Sequence, residues 1–122
     1  MNKKKTKLTA YLEEQIAASE ERRALLVADD RLDEGNFEKI RANIYDIFKT
    51  ILAIADKTCG EDDAAMRRFF QQKLEEIPGN WNAAYERAKQ HEDVEKMHIE
   101  SIKLDVTREV KEMFAQIWEG NA

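Results

Sequence analysis

The sequence predicts an all-α fold: a four-helix bundle in which a three-helix body carries an αα-hairpin extension and the C-terminal helix is the longest. Apolar residues recur at steps of three and four along most of the chain, which is the spacing of one helical face. The 122 residues include only four glycines and one proline, fewer than the turns of a many-stranded sheet require. The length fits a single helical domain over residues 1–122.

The first helix is predicted to begin within residues 4–9 and to continue to about Asp30 or Leu32. Gly35 can adopt the left-handed conformation that closes a helix, so we expect it to end this one. Before the helix, residues 1–7 contain four lysines and are predicted to form a basic, flexible tail. The apolar side of the helix comprises Leu8, Tyr11, Leu12, Ile16 and Leu26.

The second helix is predicted to start after Asn36, whose side chain can accept a hydrogen bond from a free backbone amide. Lys57 suits the negative end of the helix dipole, and Gly60 suits its stop. Large apolar residues follow one another at heptad spacing, so we expect them to form a buried seam. This seam comprises Phe37, Ile40, Ile44, Ile47, Ile51 and Ile54.

The third helix is predicted over residues 61–77, where Pro78 and Gly79 end it. The fourth is predicted from Trp81 to Glu119, a stretch that contains no glycine or proline. At 1.5 Å per residue it would be about 58 Å long. A compact chain of this size is only about 35 Å across, so a straight helix overshoots the body unless it kinks.

The two halves of the fourth helix differ in character. Residues 99–118 carry a strong apolar stripe, whereas residues 86–98 are mostly charged. The length of the third helix matches the charged half, so we expect these two segments to form an antiparallel hairpin after residue 77. The first two helices are expected to pack on residues 99–118.

An aromatic cluster on the predicted hairpin is the sequence's main indication of function. Two short helices cannot enclose so many large side chains, so the cluster either folds against the body or contacts another chain. We take the second possibility as a candidate protein-interaction surface. Its residues are Phe69, Phe70, Trp81, Tyr85 and Met97.

Metal chemistry has three candidate motifs, and each is incomplete. His91, Glu95 and His98 share a helical face, but a carboxylate-bridged di-metal bundle needs two Glu-x-x-His motifs, and the chain has two histidines in all. The acidic run Asp29–Glu34 resembles the Asp-Asp-x-x-Asp motif of isoprenoid synthases, which could hold Mg²⁺. We expect a solvated acidic turn instead.

The third motif resembles the Glu-rich helical pairs of all-α nucleotide pyrophosphohydrolases, which bind Mg²⁺ and activate water. Its candidates, Glu92 with Glu95 and Glu109 with Glu112, lie on one predicted helix. They could not face each other within one chain. Cys59 has no evident base nearby to activate it. We therefore assign no catalytic, cofactor-binding or metal-binding residues.

Charge and targeting signals narrow the class of protein further. The net charge is −5, which disfavours binding to the phosphates of nucleic acid. The start lacks the apolar run of a secretory signal, no window resembles a membrane span, and the single cysteine cannot form an internal disulfide. These features predict a cytoplasmic protein.

The sequence as a whole predicts a small, non-catalytic interaction or assembly protein that self-associates as a homodimer and binds a protein partner. No cofactor, nucleic acid or membrane is expected. The alternative is a metal-dependent enzyme similar to the all-α nucleotide pyrophosphohydrolases, with a site completed across a dimer.

Overall fold

The computed structural model describes residues 3–119, and the described part of the chain is helical almost throughout, with no strand. This confirms the predicted all-α bundle. The helices are α1 (Lys3–Ala28), α2 (Leu32–Cys59), α3 (Asp63–Glu76), α4 (Pro78–Gln90) and α5 (Val94–Glu119).

The two longest neighbours, α1 and α2, form an antiparallel hairpin. Near the turn, Arg22 of α1 pairs with Glu38 of α2 at 3.0 Å. Far from the turn, Lys5 pairs with Asp56 at 3.7 Å. Residue numbers thus rise on one helix as they fall on the other, which fixes the relative direction of the two helices.

Helix α5 lies parallel to α2 and completes the predicted three-helix body of α1, α2 and α5. At one end, the rings of Phe37 and His98 meet edge to face with centroids 4.5 Å apart. Further along, Tyr45 of α2 donates a hydrogen bond to Glu109 of α5. The N-termini of both helices therefore lie at the same end of the bundle.

Helices α3 and α4 run one after the other along α5, antiparallel to it. Arg67 of α3 pairs with Glu119 at 3.8 Å, and Trp81 of α4 lies under the ammonium group of Lys103 at 5.9 Å. They act as a single rod that bends at Pro78, so the five helices form four antiparallel rods. Beyond the bend, α4 packs on α5 and does not contact α2.

The hairpin predicted between the third helix and residues 86–98 is wrong in its position. Ile77 keeps right-handed helical angles (φ −60°, ψ −44°), so the chain bends there without reversing. Pro78 occupies the first turn of α4, where its missing amide leaves no helical hydrogen bond unmade. The reversal comes at residues 91–93, and the antiparallel hairpin is α4–α5.

The reversal at residues 91–93 also breaks the predicted fourth helix. Glu92 has a positive φ of 55°, and the amide of Asp93 donates to the carbonyl of Ala88 at 2.8 Å. This is the Schellman arrangement that closes a helix, usually with glycine in the left-handed position. Asp93 then caps α5 by accepting from the Lys96 amide at 3.1 Å.

The boundary between α1 and α2 also differs from the prediction. Asp30 takes the left-handed position (φ 59°), and the amide of Arg31 donates to the carbonyl of Leu26 at 2.8 Å. Gly35 and Asn36, predicted as stop and cap, lie inside α2. Gly35 is buried there because α1 passes close by: an added Cβ would lie 3.0 Å from Val27.

The predicted flexible tail is only partly described. Residues 3–7 form the first turns of α1, and residues 1 and 2 lie outside the described part of the chain. The ammonium group of Lys4 pairs with Asp63 at 3.3 Å and donates to the carbonyl of Trp118 at 3.5 Å. These contacts join the start of α1 to α3 and α5.

The isoleucine seam of α2 is only half buried. Ile44 is buried, but Ile47 and Ile54 are 38% and 48% exposed, which contradicts the expectation of a fully buried seam. A straight helix has 3.6 residues per turn, so a 3.5-residue repeat drifts across its surface. The face that α2 turns to the core is instead Ile44, Tyr45, Phe48, Leu52 and Ala55.

Candidate functional site

Six large apolar residues are exposed in the described part of the chain, and four of them lie near one end of the bundle. This end holds the α1–α2 turn and the α4–α5 turn, because all four rods are antiparallel to their chain neighbours. We call these four residues the apolar end. They are Leu25 (66% exposed), Val27 (43%), Leu32 (62%) and Val94 (74%).

The two turns carry the apolar end on neighbouring helices. Val94 and His98 lie one turn apart on the same face of α5, and the ring of His98 packs on Phe37 of α2. Val94 is thereby placed beside the first turn of α2, where Leu32 begins the helix. Leu25 lies in the last turn of α1, across the short α1–α2 connection.

Acidic residues surround the apolar end. Between residues 28 and 35, Arg31 is the single basic residue, and it forms a hydrogen bond to Glu34 at 3.1 Å. This hydrogen bond holds the pKa of the Glu34 carboxyl below its usual value. The two turns therefore carry exposed apolar and acidic side chains together, and Arg23 and Lys39 line the groove beside Val27 and Leu32. We call the acidic residues of the two turns the rim. The rim comprises Asp29, Asp30, Asp33, Glu34, Glu92, Asp93 and Glu95.

A shallow groove adjoins the apolar end, with one part on α1 and the other between the end of α1 and the start of α2. Its two adjoining parts have volumes of about 390 and 310 Å³. Both parts are open to solvent and share Arg23 and Val27. The lining residues between Glu20 and Lys39 include Ala24, Ala28, Leu32 and Gly35.

The other two exposed apolar residues, Ile47 and Ile54, belong to a second surface along the outer side of α2. Every position on this side of the helix is uncharged over about six turns, although 37% of the chain is charged. We call this surface the uncharged stripe. It consists of Asn36, Ile40, Asn43, Ile47, Thr50, Ile54 and Thr58, all exposed except the half-buried Ile40.

The residues predicted as an interaction surface lie along α3, α4 and the start of α5. Phe70 is fully buried, with its ring centroid 5.1 Å from that of Phe114. Phe69 and Trp81 are half-buried against the core, and Tyr85 and Met97 are also half-buried. Phe70 belongs to the core of this fold, while the contact role of the other four stays a prediction.

The residues weighed for metal chemistry are spread along the bundle. Within residues 3–119, no three His, Cys, Asp or Glu side chains group in a way that could hold a metal ion. His98 contacts Phe37. Glu95 and Glu109 are fourteen residues apart on α5, which separates them by about 21 Å along the helix. Cys59 is a half-buried free thiol packed on the core.

A small cavity of about 150 Å³ lies between α3 and α5. Ligand pockets commonly measure about 300–1,000 Å³, so this cavity is small for an organic ligand. Trp118 contributes to its lining, and the Trp118 indole nitrogen has no hydrogen-bond partner among the described residues. The polar residues that line the cavity are Arg67, Gln71, Lys111 and Glu119.

Two polar contacts inside the bundle were not apparent from the sequence. Tyr45 and Glu109 join α2 to α5, and Arg41 approaches the same carboxylate at 3.9 Å. On the α4 side of α5, the buried Glu100 forms an ion pair with Lys103 at 3.2 Å. Nothing in helical spacing alone tells which charged residues face a neighbouring helix.

A comparison with models of known protein families, with curated proteins and with solved structures finds no match for this chain. No helix in residues 3–119 is long and apolar enough to cross a membrane.

Proposed function

We propose that this chain is a small, non-catalytic cytoplasmic protein that binds another protein and also associates with itself. The observation that supports the proposal is the concentration of exposed apolar side chains at one end of the bundle. Leu25, Leu32 and Val94 are each more than 60% exposed. Exposed apolar patches with a polar rim are typical of protein-binding surfaces.

The charge around the apolar end indicates what kind of partner fits it. The two turns and the first three residues of the helices that follow them carry seven carboxylates and two basic groups, those of Arg31 and Lys96. A partner with matching basic residues would gain both affinity and a faster encounter. We therefore propose that the partner presents a basic amphipathic helix, with its apolar face on Leu25 and Leu32 and its lysines or arginines at the rim.

The sharpest test measures binding of a fluorescent synthetic amphipathic helix made of leucine and lysine. We expect saturable binding that weakens with added salt, because salt screens exposed charges. The double change Leu25→Ser with Leu32→Ser should weaken binding by more than about tenfold, equivalent to about 1.4 kcal/mol. Both side chains are largely exposed, so the fold should be retained.

The matched control is Ile54→Ser, which removes an exposed apolar side chain on α2, away from the apolar end. This variant should bind the peptide as the unchanged protein does. Equal loss of binding in the control and in the double variant would contradict the proposal, since the peptide would then be adhering to any apolar residue. Absence of binding to the unchanged protein would contradict it as well.

A further inference from the structure

We propose that two copies of this chain associate through the uncharged stripe, as an antiparallel pair of α2 helices with Ile47 near the two-fold axis. This inference rests on the self-association included in the proposed function. It names the surface and the geometry, which nothing in the sequence analysis assigned.

Charge selects this surface for contact between two copies. Each copy carries a net charge of −5, so two copies repel each other through most of their faces. No side chain of the uncharged stripe adds to this repulsion, and the stripe presents Ile47 and Ile54 to solvent. Depletion of charge in the centre is also the compositional mark of protein–protein interfaces.

The order of residues along the stripe matches itself when reversed. In a two-fold interface, a residue that contacts a second residue in the partner is contacted by the same residue in return. The stripe runs from Asn36 to Thr58 and its midpoint is Ile47. With Ile47 at the axis, Ile40 faces Ile54 and Asn36 faces Thr58, while Asn43 and Thr50 are one residue out of register.

The two ends of the bundle favour the antiparallel over the parallel arrangement. The acidic rim of the apolar end lies beside the N-terminus of α2. The opposite end holds the four lysines of residues 3–7 together with the acidic α2–α3 turn, and Lys4 and Lys5 pair there with Asp63 and Asp56 of the same chain. A parallel pair would place the acidic ends of both copies side by side, whereas an antiparallel pair places each acidic end beside the partner's opposite end, where lysines balance the acids.

Cysteine cross-linking tests the geometry directly, in a background where Cys59→Ser removes the natural thiol. A disulfide requires Cα atoms within about 7 Å of each other. In the antiparallel pair, Ile47→Cys places two thiols at the axis, so mild oxidation should give a covalent dimer. Ile54→Cys places them fourteen residues, or about 21 Å, apart along the helices, so it should remain uncross-linked.

Two charged substitutions on the stripe provide a second test. The double variant should restore the association that each single variant weakens. Ile40→Lys alone and Ile54→Glu alone should each raise the dimer dissociation constant, because each places a charge against isoleucine. The two changes together place lysine opposite glutamate twice across the axis. The double variant should associate more than about tenfold more tightly than either single variant, as measured by analytical ultracentrifugation.

The outcomes separate this inference from the proposed function. Equal cross-linking of both cysteine variants, or a double variant weaker than the two single ones, would overturn the antiparallel pair. A monomer at all concentrations that still binds the basic helix would overturn self-association and leave the partner-binding function intact. Loss of helix binding in a protein that still cross-links at position 47 would overturn the partner-binding function and leave self-association intact.

Discussion

The hydroxyl of Tyr45 on α2 donates a hydrogen bond to the carboxylate of Glu109 on α5, and this contact ties together two parallel helices of the body. Tyr45 is 1% exposed. Desolvation, together with hydrogen bonding and charge repulsion from Glu109, raises the pKa of the Tyr45 phenol well above its usual 10.0. The neutral phenol is therefore the form that the fold stabilises.

A pH dependence of stability follows from Tyr45. A phenol whose pKa is raised on folding contributes stability that is fully present below the unfolded pKa of about 10 and is lost above it. We expect the free energy of unfolding in urea to fall as the pH rises past about 10. Tyr11, whose pKa burial also raises, acts in the same direction.

The matched variant for this prediction is Tyr45→Phe, which keeps the ring and removes the hydroxyl. It should lower the free energy of unfolding at neutral pH by about 1 kcal/mol and reduce the loss at alkaline pH. A variant that lost stability at alkaline pH as steeply as the unchanged protein would show that another group titrates.

Two neighbouring side chains of α2 test which face of the helix is buried. Leu52 is fully buried and Ile54 is 48% exposed. Leu52→Ala should lower the free energy of unfolding by about 2–5 kcal/mol, and Ile54→Ala by less than about 1 kcal/mol. Chemical denaturation at a low concentration, where dimers are absent, is the measurement. Comparable losses at both positions would contradict the burial described for α2.

Replacing Gly60 and replacing Gly35 by alanine should change the stability of the fold in opposite directions. Gly60 has a φ of 60° and a ψ of −128°, so Gly60→Ala should destabilise the protein by about 1–3 kcal/mol. Gly35 lies inside a helix, and an added Cβ would approach the Cγ2 methyl group of Val27, a side chain that is 43% exposed. Gly35→Ala should therefore raise stability by up to about 1 kcal/mol.

The interruption of the helix between α4 and α5 can be tested at Glu92. This residue holds a left-handed conformation at φ 55°, which costs a non-glycine residue about 1 kcal/mol. Glu92→Gly should therefore raise the melting temperature. If residues 81–119 formed one continuous helix, the same change would place glycine in a helix interior and lower it.

The sequence was sufficient to predict the helical class but not where each helix ends. Periodicity depends on the apolar residues, and it identified all the long helical stretches. Glycine and proline were weaker guides, because Asp30 and Glu92 occupy the left-handed positions at two helix ends, and neither residue was predicted to end a helix in this way. Pro78 starts a helix here instead of reversing the chain, since the first turn of a helix tolerates proline.

The candidate surfaces were harder to predict, because exposure depends on where neighbouring helices lie. Phe70 and Ile47 look alike as members of apolar stripes, yet Phe70 is buried between α2 and α5 and Ile47 is 38% exposed. The difference arises because Ile47 lies on a different side of α2 from Tyr45, Phe48 and Leu52, which this helix turns to the core. No local spacing in the sequence carries that information.

The bend at Pro78 has a consequence for how the protein opens. Ala88 is the single buried residue of α4, and beyond its junction with α3 this helix packs on α5 alone. Segments with few buried apolar contacts exchange their amide hydrogens by local opening, ahead of global unfolding. Amides of α4 should therefore exchange with deuterium earlier than those of α2. The molecule would thus open locally at α4 while α1, α2 and α5 remain packed together.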